Sequence, residues 1–186
     1  MAQSRLRITG GRARGLPITE PRGTRLRPTS GLVREAIFNI IGDLVVDARV
    51  LDLYAGTGAL GLEALSRGAR EAVFVEGDGA ACQAILQTIG RAGFGAQAKV
   101  VRGRLPGALA SVEGKFDLIF MDPPYDSDTA EETLTELSER LEQGGLVVYE
   151  HGSRYNPPDR PAGLALQERR VYGDTAIGLY SLQEGR

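Results

Sequence analysis

The apolar positions of this chain follow two alternating patterns. Short, mostly apolar runs at Arg49–Leu53, 72–76, Ala98–Arg102, Phe116–Met121 and 146–150 predict strands. Between them, residues 58–67, Gly79–Ala92 and 129–143 read as helices. Strands that are apolar throughout are buried on both faces, and strands separated by helices join in parallel. The order therefore predicts an α/β fold, a mainly parallel twisted Rossmann-like sheet with helices on both faces. Within 129–143, Leu134, Leu137 and Leu141 recur at helical spacing, while Glu131, Glu132, Glu136 and Glu139 form a solvated face.

Three further elements flank this unit. Leu32, Val33, Ala36, Ile37, Ile40 and Ile41 make an apolar helical stripe, with Thr29 or Ser30 placed to cap it. Residues 6–9 and 16–19 flank Gly10-Gly11-Arg12-Ala13-Arg14-Gly15 and predict a β-hairpin with arginines at its tip. Leu164–Tyr172 and 176–182, separated by Gly173-Asp174, predict a second hairpin that would end the sheet with antiparallel strands.

A length of 186 residues suits one compact domain. No apolar run approaches the roughly 20 residues of a membrane span. The arginines near the N-terminus have no apolar segment behind them, so no secretory signal is read, and a soluble cytoplasmic protein is expected. Cys82 is the single cysteine, which rules out an intramolecular disulfide and argues against a Cys-based metal site. The net charge of −2 hides an asymmetry, because residues 1–34 hold eight Arg against one acid, Glu20, giving +7 there and −9 in the rest. A basic hairpin or arm over residues 1–28 thus precedes an acidic body over 29–186. Each phosphate neutralised by an arginine releases counterions, so the arm suits a polyanion, with Arg12, Arg14, Arg25, Arg27 and Arg34 as candidate contacts.

The most informative segment is Val50-Leu51-Asp52-Leu53-Tyr54-Ala55-Gly56-Thr57-Gly58-Ala59-Leu60-Gly61, a strand running through glycines into a helix. Ligands of open α/β sheets sit beyond the carboxyl ends of the strands, so this turn faces the crevice. Gly56 and Gly58 let backbone approach a ligand closely, whereas Gly61, one turn into the helix, serves helix packing. The spelling also matches a dinucleotide fingerprint. Asp52 separates the two, since its carboxylate repels a pyrophosphate but suits a ligand with an ammonium group, such as the methionine moiety of S-adenosylmethionine. Glu76, at the end of the second strand, is placed to accept from both ribose hydroxyls. Tyr54, Ala55, Thr57 and Gly77 complete the candidate cofactor contacts.

After the fourth strand comes Asp122-Pro123-Pro124-Tyr125. Two prolines fix an extended backbone and remove two N–H donors, so the Asp122 carboxylate and the Pro123 carbonyl stand as acceptors. That pair suits an exocyclic NH2 group: two hydrogen bonds to its protons turn the nitrogen lone pair toward an electrophile. Either Asp122 or water receives the proton released. Tyr125 is placed to stack on an unstacked base. His151, the single histidine, follows a predicted strand and reads as structural.

These residues resemble the bacterial small-subunit ribosomal RNA guanine-N2 methyltransferases. Three segments carry the likeness: Leu26-Arg27-Pro28-Thr29 with Val33-Arg34-Glu35-Ala36-Ile37-Phe38-Asn39; the glycine turn continued through Leu62-Glu63-Ala64-Leu65-Ser66-Arg67-Gly68; and Asp122-Pro123-Pro124-Tyr125. The resemblance implies a class I methyltransferase fold, S-adenosylmethionine as methyl donor, and methylation of a guanine N2 in 16S rRNA, during assembly of the small subunit. A monomer without metal is expected. After the third strand, related enzymes show Asp or Asn near the adenine amine. Here Arg102-Gly103-Arg104-Leu105 stands instead, so the adenine contact falls to backbone near Leu105. The rival readings are a DNA or RNA adenine-N6 methyltransferase, a glutamine methyltransferase, a nicotinamide-dependent oxidoreductase and a non-catalytic RNA-binding protein. The last two leave residues 122–125 without a role.

Overall fold

The computed structural model describes residues 6–21, 31–125 and 127–183; Arg25, Arg27, Thr29 and Ser30 lie outside them. One sheet of seven strands forms the centre: β1 (Arg49–Leu53), β2 (Glu71–Glu76), β3 (Ala98–Arg102), β4 (Phe116–Met121), β5 (Leu141–Gly152), β6 (Leu164–Tyr172) and β7 (Thr175–Leu182). Their order is β3-β2-β1-β4-β5-β7-β6. Strands β1 to β5 pair in parallel, while β7 runs antiparallel to both β5 and β6. The chain builds outward from β1 to β3 and then returns to lay β4 on the other side of β1. That reversal opens a crevice at the carboxyl ends of β1 and β4.

Side chains alternate between the two faces of the sheet, which explains where the helices lie. Val50, Phe74, Leu118 and Phe120 face α1 (Gly31–Ile41), α2 (Ala59–Ser66) and α3 (Gly79–Ala92). Leu51, Leu53, Val75, Ile119 and Met121 face the opposite layer, with α4 (Ala130–Glu136), Leu109 and Leu164. Asp52 falls on the α2 face by this alternation. α3 starts at Asp78, whose carboxylate accepts from the Ala81 N–H at 2.8 Å, and ends at Gly93 in the left-handed region.

Two expectations need correction. The helix expected over 129–143 ends at Glu136; a 3-10 turn covers Leu137–Arg140, and Leu141 already belongs to β5, opposite Phe116 of β4. Pairing with the fourth strand outweighs the leucine spacing, and Gly144, at φ +79°, suits an irregular strand better than a helix interior. In α1 the buried stripe is Val33, Arg34, Ile37, Phe38 and Ile41, whereas Leu32 is 80% exposed.

Residues 6–21 form the expected hairpin, with an isolated antiparallel bridge between Arg7 and Pro17 and backbone bonds joining Ile8 to Leu16 and Ile18 to Leu6. The hairpin does not stand off as an arm. Leu6, Ile8 and Ile18 are buried in the core that α1 and α2 share. Its tip is fastened to the end of α2: the Arg12 N–H donates to the Ser66 carbonyl at 2.8 Å, the Ala13 N–H to Ser66 Oγ at 2.9 Å, and Ser66 Oγ to the Gly10 carbonyl at 2.6 Å. Gly11 makes this approach possible, since at φ +73° a Cβ there would lie 1.8 Å from the Ser66 carbonyl oxygen. Gly11→Ala is expected to cost about 2–3 kcal/mol, from a left-handed Ala plus a backbone clash. A urea unfolding curve checks it, and an unchanged midpoint would show that the hairpin docks differently.

Candidate active site

The crevice is assembled from the ends of four strands. Beyond β1 the backbone enters the left-handed region at Tyr54 (φ +55°), Gly56 (φ +55°) and Gly58 (φ +73°). A tyrosine in that region is strained, and such strain concentrates at functional sites. Neighbouring elements hold it: the Tyr54 hydroxyl shares a 2.8 Å hydrogen bond with Thr133 Oγ1 of α4, and the Ala55 N–H donates to the Val75 carbonyl at 3.1 Å. Gly58 also closes the turn, its N–H donating to the Ala55 carbonyl at 2.6 Å. Thr57 is buried within it.

Glu76 ends β2 with both oxygens engaged, Oε2 by the Gly56 N–H and Oε1 by the Asp78 N–H, each at 2.7 Å. The carboxylate therefore sits directly against the glycine turn. Gly77 follows it and packs toward Arg104, whose Cγ would lie 3.3 Å from a Cβ at Gly77. The Gly103 N–H donates to the Glu76 carbonyl, which brings the β3 end and Leu105 to the same rim. On the other side, the Asp122 N–H reaches the Leu53 carbonyl at 3.4 Å, continuing the pairing of β4 with β1.

Asp52 is buried, and its Oδ2 accepts from the Gly61 N–H at 2.9 Å. Asp52 is thereby tied to the first turn of α2. Burial, with Asp122 and Glu76 adding repulsion, pushes its carboxyl well above the usual carboxylate range, against a smaller opposing effect of the Gly61 bond. Three carboxylates consequently share one crevice. Gly61 serves helix packing as expected, because a Cβ there would lie 2.3 Å from the Phe74 ring.

Residues 123–125 of the loop after β4 differ in exposure: Pro123 is buried, Pro124 is exposed and Tyr125 is half exposed. The Tyr125 hydroxyl shares a 2.8 Å bond with Thr175 Oγ1 of β7. Beside this loop lies a cavity of about 290 Å³ lined by Pro123, Tyr125, Glu131, Tyr149, His151 and Tyr155, among others. A larger groove of about 860 Å³ lies at the opposite, amino-terminal end of the strands, among residues such as Asp43, Arg49 and Lys115. The crevice rule favours the smaller one, which lies beyond the carboxyl end of β4 and beside the end of β5. Sequence reasoning missed Tyr149, Tyr155 and Thr133, whereas Glu131 is exposed, in keeping with its place on a solvated face. His151 is buried, its Nδ1 lies 2.9 Å from the Gly152 carbonyl, and burial lowers its pKa.

The arginines divide. Arg14 is exposed at the hairpin tip. Arg12 is exposed but engaged, its guanidinium over Phe94 at 4.7 Å and bonded to Gln97. Arg34 is a correction to the RNA-facing set: it is 2% exposed, donates to the Arg7 carbonyl at 2.7 Å and faces Glu63 at 3.6 Å. Burial of this kind is incompatible with a surface contact.

Sheet order, glycine turn and acidic strand ends together define the class I methyltransferase fold. Comparison with known proteins agrees. A solved Escherichia coli protein, yhhF, described as a candidate methyltransferase, superposes with a TM-score of 0.85 at 37% identity over 96% of this chain and 98% of that one. The Escherichia coli ribosomal RNA small subunit methyltransferase D is 37% identical over 177 residues, 94% of this chain and 89% of its own length. Its Haemophilus influenzae counterpart is 31% identical over 188 residues, covering 96% and 95%. The chain belongs to the family described as conserved hypothetical protein 95, whose model matches residues 6–181. Among the described residues no helix is long and apolar enough to cross a membrane.

Proposed function

We propose that the protein transfers a methyl group from S-adenosylmethionine to the exocyclic N2 of a guanine in 16S rRNA, during assembly of the small subunit. The observation that carries this reading is the convergence of Asp52, Glu76 and Asp122 at the ends of β1, β2 and β4. Their combined negative field suits a cationic ligand and opposes a pyrophosphate, which sets the nicotinamide reading aside. Glu76 would hold the ribose hydroxyls, the backbone of the Tyr54–Gly58 turn the methionine end, and the backbone near Leu105 the adenine.

The cofactor supplies an electrophilic methyl carbon on a sulfonium. The chain's task is to present the nucleophile. Asp122 and the Pro123 carbonyl accept from the two amine protons, which localises the nitrogen lone pair and aims it in line. As the N–C bond forms and the C–S bond breaks, the amine becomes acidic, and Asp122 or a water it holds takes the proton. Tyr125 stacks on the base, and Arg12 and Arg14 bear on RNA phosphate.

The test is transfer of labelled methyl to small subunits and naked rRNA from a strain lacking the protein, followed by nucleoside analysis. N2-methylguanosine supports the reading, whereas N6-methyladenosine would move the target to adenine. A second expectation concerns protons. Burial raises the Asp52 carboxyl above its ordinary value, and a nearby ammonium group lowers it again. S-Adenosylhomocysteine binding should therefore release protons and tighten as pH rises. Calorimetry in two buffers of different ionisation enthalpy measures this, and proton uptake would contradict it.

A further inference from the structure

The cavity beside Tyr125 contains a carboxylate that neither the cofactor contacts nor the amine grip uses. Glu131 stands in the first turn of α4, and the Tyr155 hydroxyl donates to its Oε1. Tyr155 is itself held firmly. Its N–H donates to the Gly152 carbonyl at 3.0 Å, and Arg169 Nη2 donates to the Ser153 carbonyl at 2.6 Å and the Tyr155 carbonyl at 3.3 Å. Its ring meets His151 edge-on at 5.6 Å, and His151 rests in turn on Tyr149 at 5.1 Å. Burial and the bond to Glu131 push the Tyr155 phenol far up, so it stays a donor. One oxygen of the exposed Glu131 carboxylate thus has a partner, and the other remains for a ligand in a cavity also lined by Pro123, Pro124 and Tyr125.

We propose that Glu131, clamped by Tyr155, is the specificity residue that reads the N1–H of the target guanine. The Asp122–Pro123 grip serves any exocyclic amine and cannot distinguish guanine N2 from adenine N6. The neighbouring ring atom can. Guanine carries a donor, N1–H, next to its N2 amine, whereas adenine carries a bare N1 lone pair next to its N6 amine. A fixed carboxylate beside the amine grip accepts from the first and repels the second. A site built around such a hydrogen bond discriminates, because the wrong base sets its own lone pair against the carboxylate. This assignment rests on the guanine-N2 reading above.

The experiment measures labelled methyl transfer to small subunits from a strain lacking the protein, with nucleoside analysis and, in parallel, S-adenosylhomocysteine affinity by calorimetry. Glu131→Gln is expected to lower kcat/KM for N2-methylguanosine formation about 10- to 100-fold, the scale of a lost charged hydrogen bond. Cofactor affinity should stay unchanged. Tyr155→Phe, which keeps the carboxylate but releases it, should lose less. Glu132→Gln, exposed on the same helix, should match wild type. Wild-type activity in Glu131→Gln overturns the assignment, as does an equal loss in Glu132→Gln or a parallel loss of cofactor affinity. Absence of N2-methylguanosine with the wild-type protein is a different failure, that of the functional reading itself.

Discussion

Asp122→Ala is expected to lower kcat about 10³-fold while leaving S-adenosylhomocysteine affinity little changed. The magnitude combines loss of an oriented acceptor, worth about 10²- to 10³-fold, with loss of any proton acceptance by the carboxylate. Binding should survive because the residues proposed for the cofactor lie on β1, β2 and the segment after β3, and Asp122 reaches them through its backbone bond to Leu53. Removing Asp122 also relieves some repulsion on Asp52, an effect that favours deprotonation there and not loss of the ligand. Asp122→Asn separates the two roles. It keeps an acceptor oxygen without a basic carboxylate, so a loss equal to alanine's assigns the proton to Asp122, and a smaller one assigns it to water. Single-turnover kinetics with calorimetry decides the matter. Normal residual turnover with weakened cofactor binding would contradict the assigned role.

The parts of the fold that the sequence showed well are those set by local pattern. β1 and β4 have the expected bounds because a strand buried on both faces is a mostly apolar run between turn residues, and the half-buried edge strand β3 has them too. The glycine turn was legible for a related reason: only a few residue types tolerate its backbone. What stayed hidden depends on partners distant in the chain. Leu141 looked helical because its pairing with Phe116, 25 residues earlier, has no local signature. Asp52 had the right position, but alternation along β1, together with the close packing of Gly61, turned its carboxylate toward α2. The cavity wall joins Glu131 to Tyr155, 24 residues apart, and only the fold shows that this exposed acid has a tyrosine bonded to it. Arg34 was misplaced for the same reason, as one more positive charge in a basic segment whose carboxylate partner lies on another helix.

That partner gives the second large expectation: Glu63→Ala should cost about 3–5 kcal/mol, the range for breaking a buried ion pair. Glu63 is fully buried on α2, where Oε2 accepts from the Thr9 N–H at 2.8 Å and Oε1 from Thr9 Oγ1 at 2.9 Å, the Gly10 N–H at 2.7 Å and Arg67 Nε at 2.8 Å. Arg34 supplies a second guanidinium at 3.6 Å. Burial lowers the Arg34 pKa, and the Glu63 charge is the largest influence opposing that. Alanine would leave a buried cation and two backbone donors without their acceptor. For a domain of this size the loss corresponds to a fall in Tm of roughly 6–20 °C. The network also joins the hairpin to α2, the helix that opens from the glycine turn, so the variant should loosen both together. Hydrogen exchange should therefore rise at Thr9 and Gly10 along with the amides of α2. Replacing both partners, Arg34→Met with Glu63→Leu, should cost less than the sum of the single changes, since the buried Arg34 charge is then not stranded. Strict additivity in that cycle would mean that the two residues do not act as a pair.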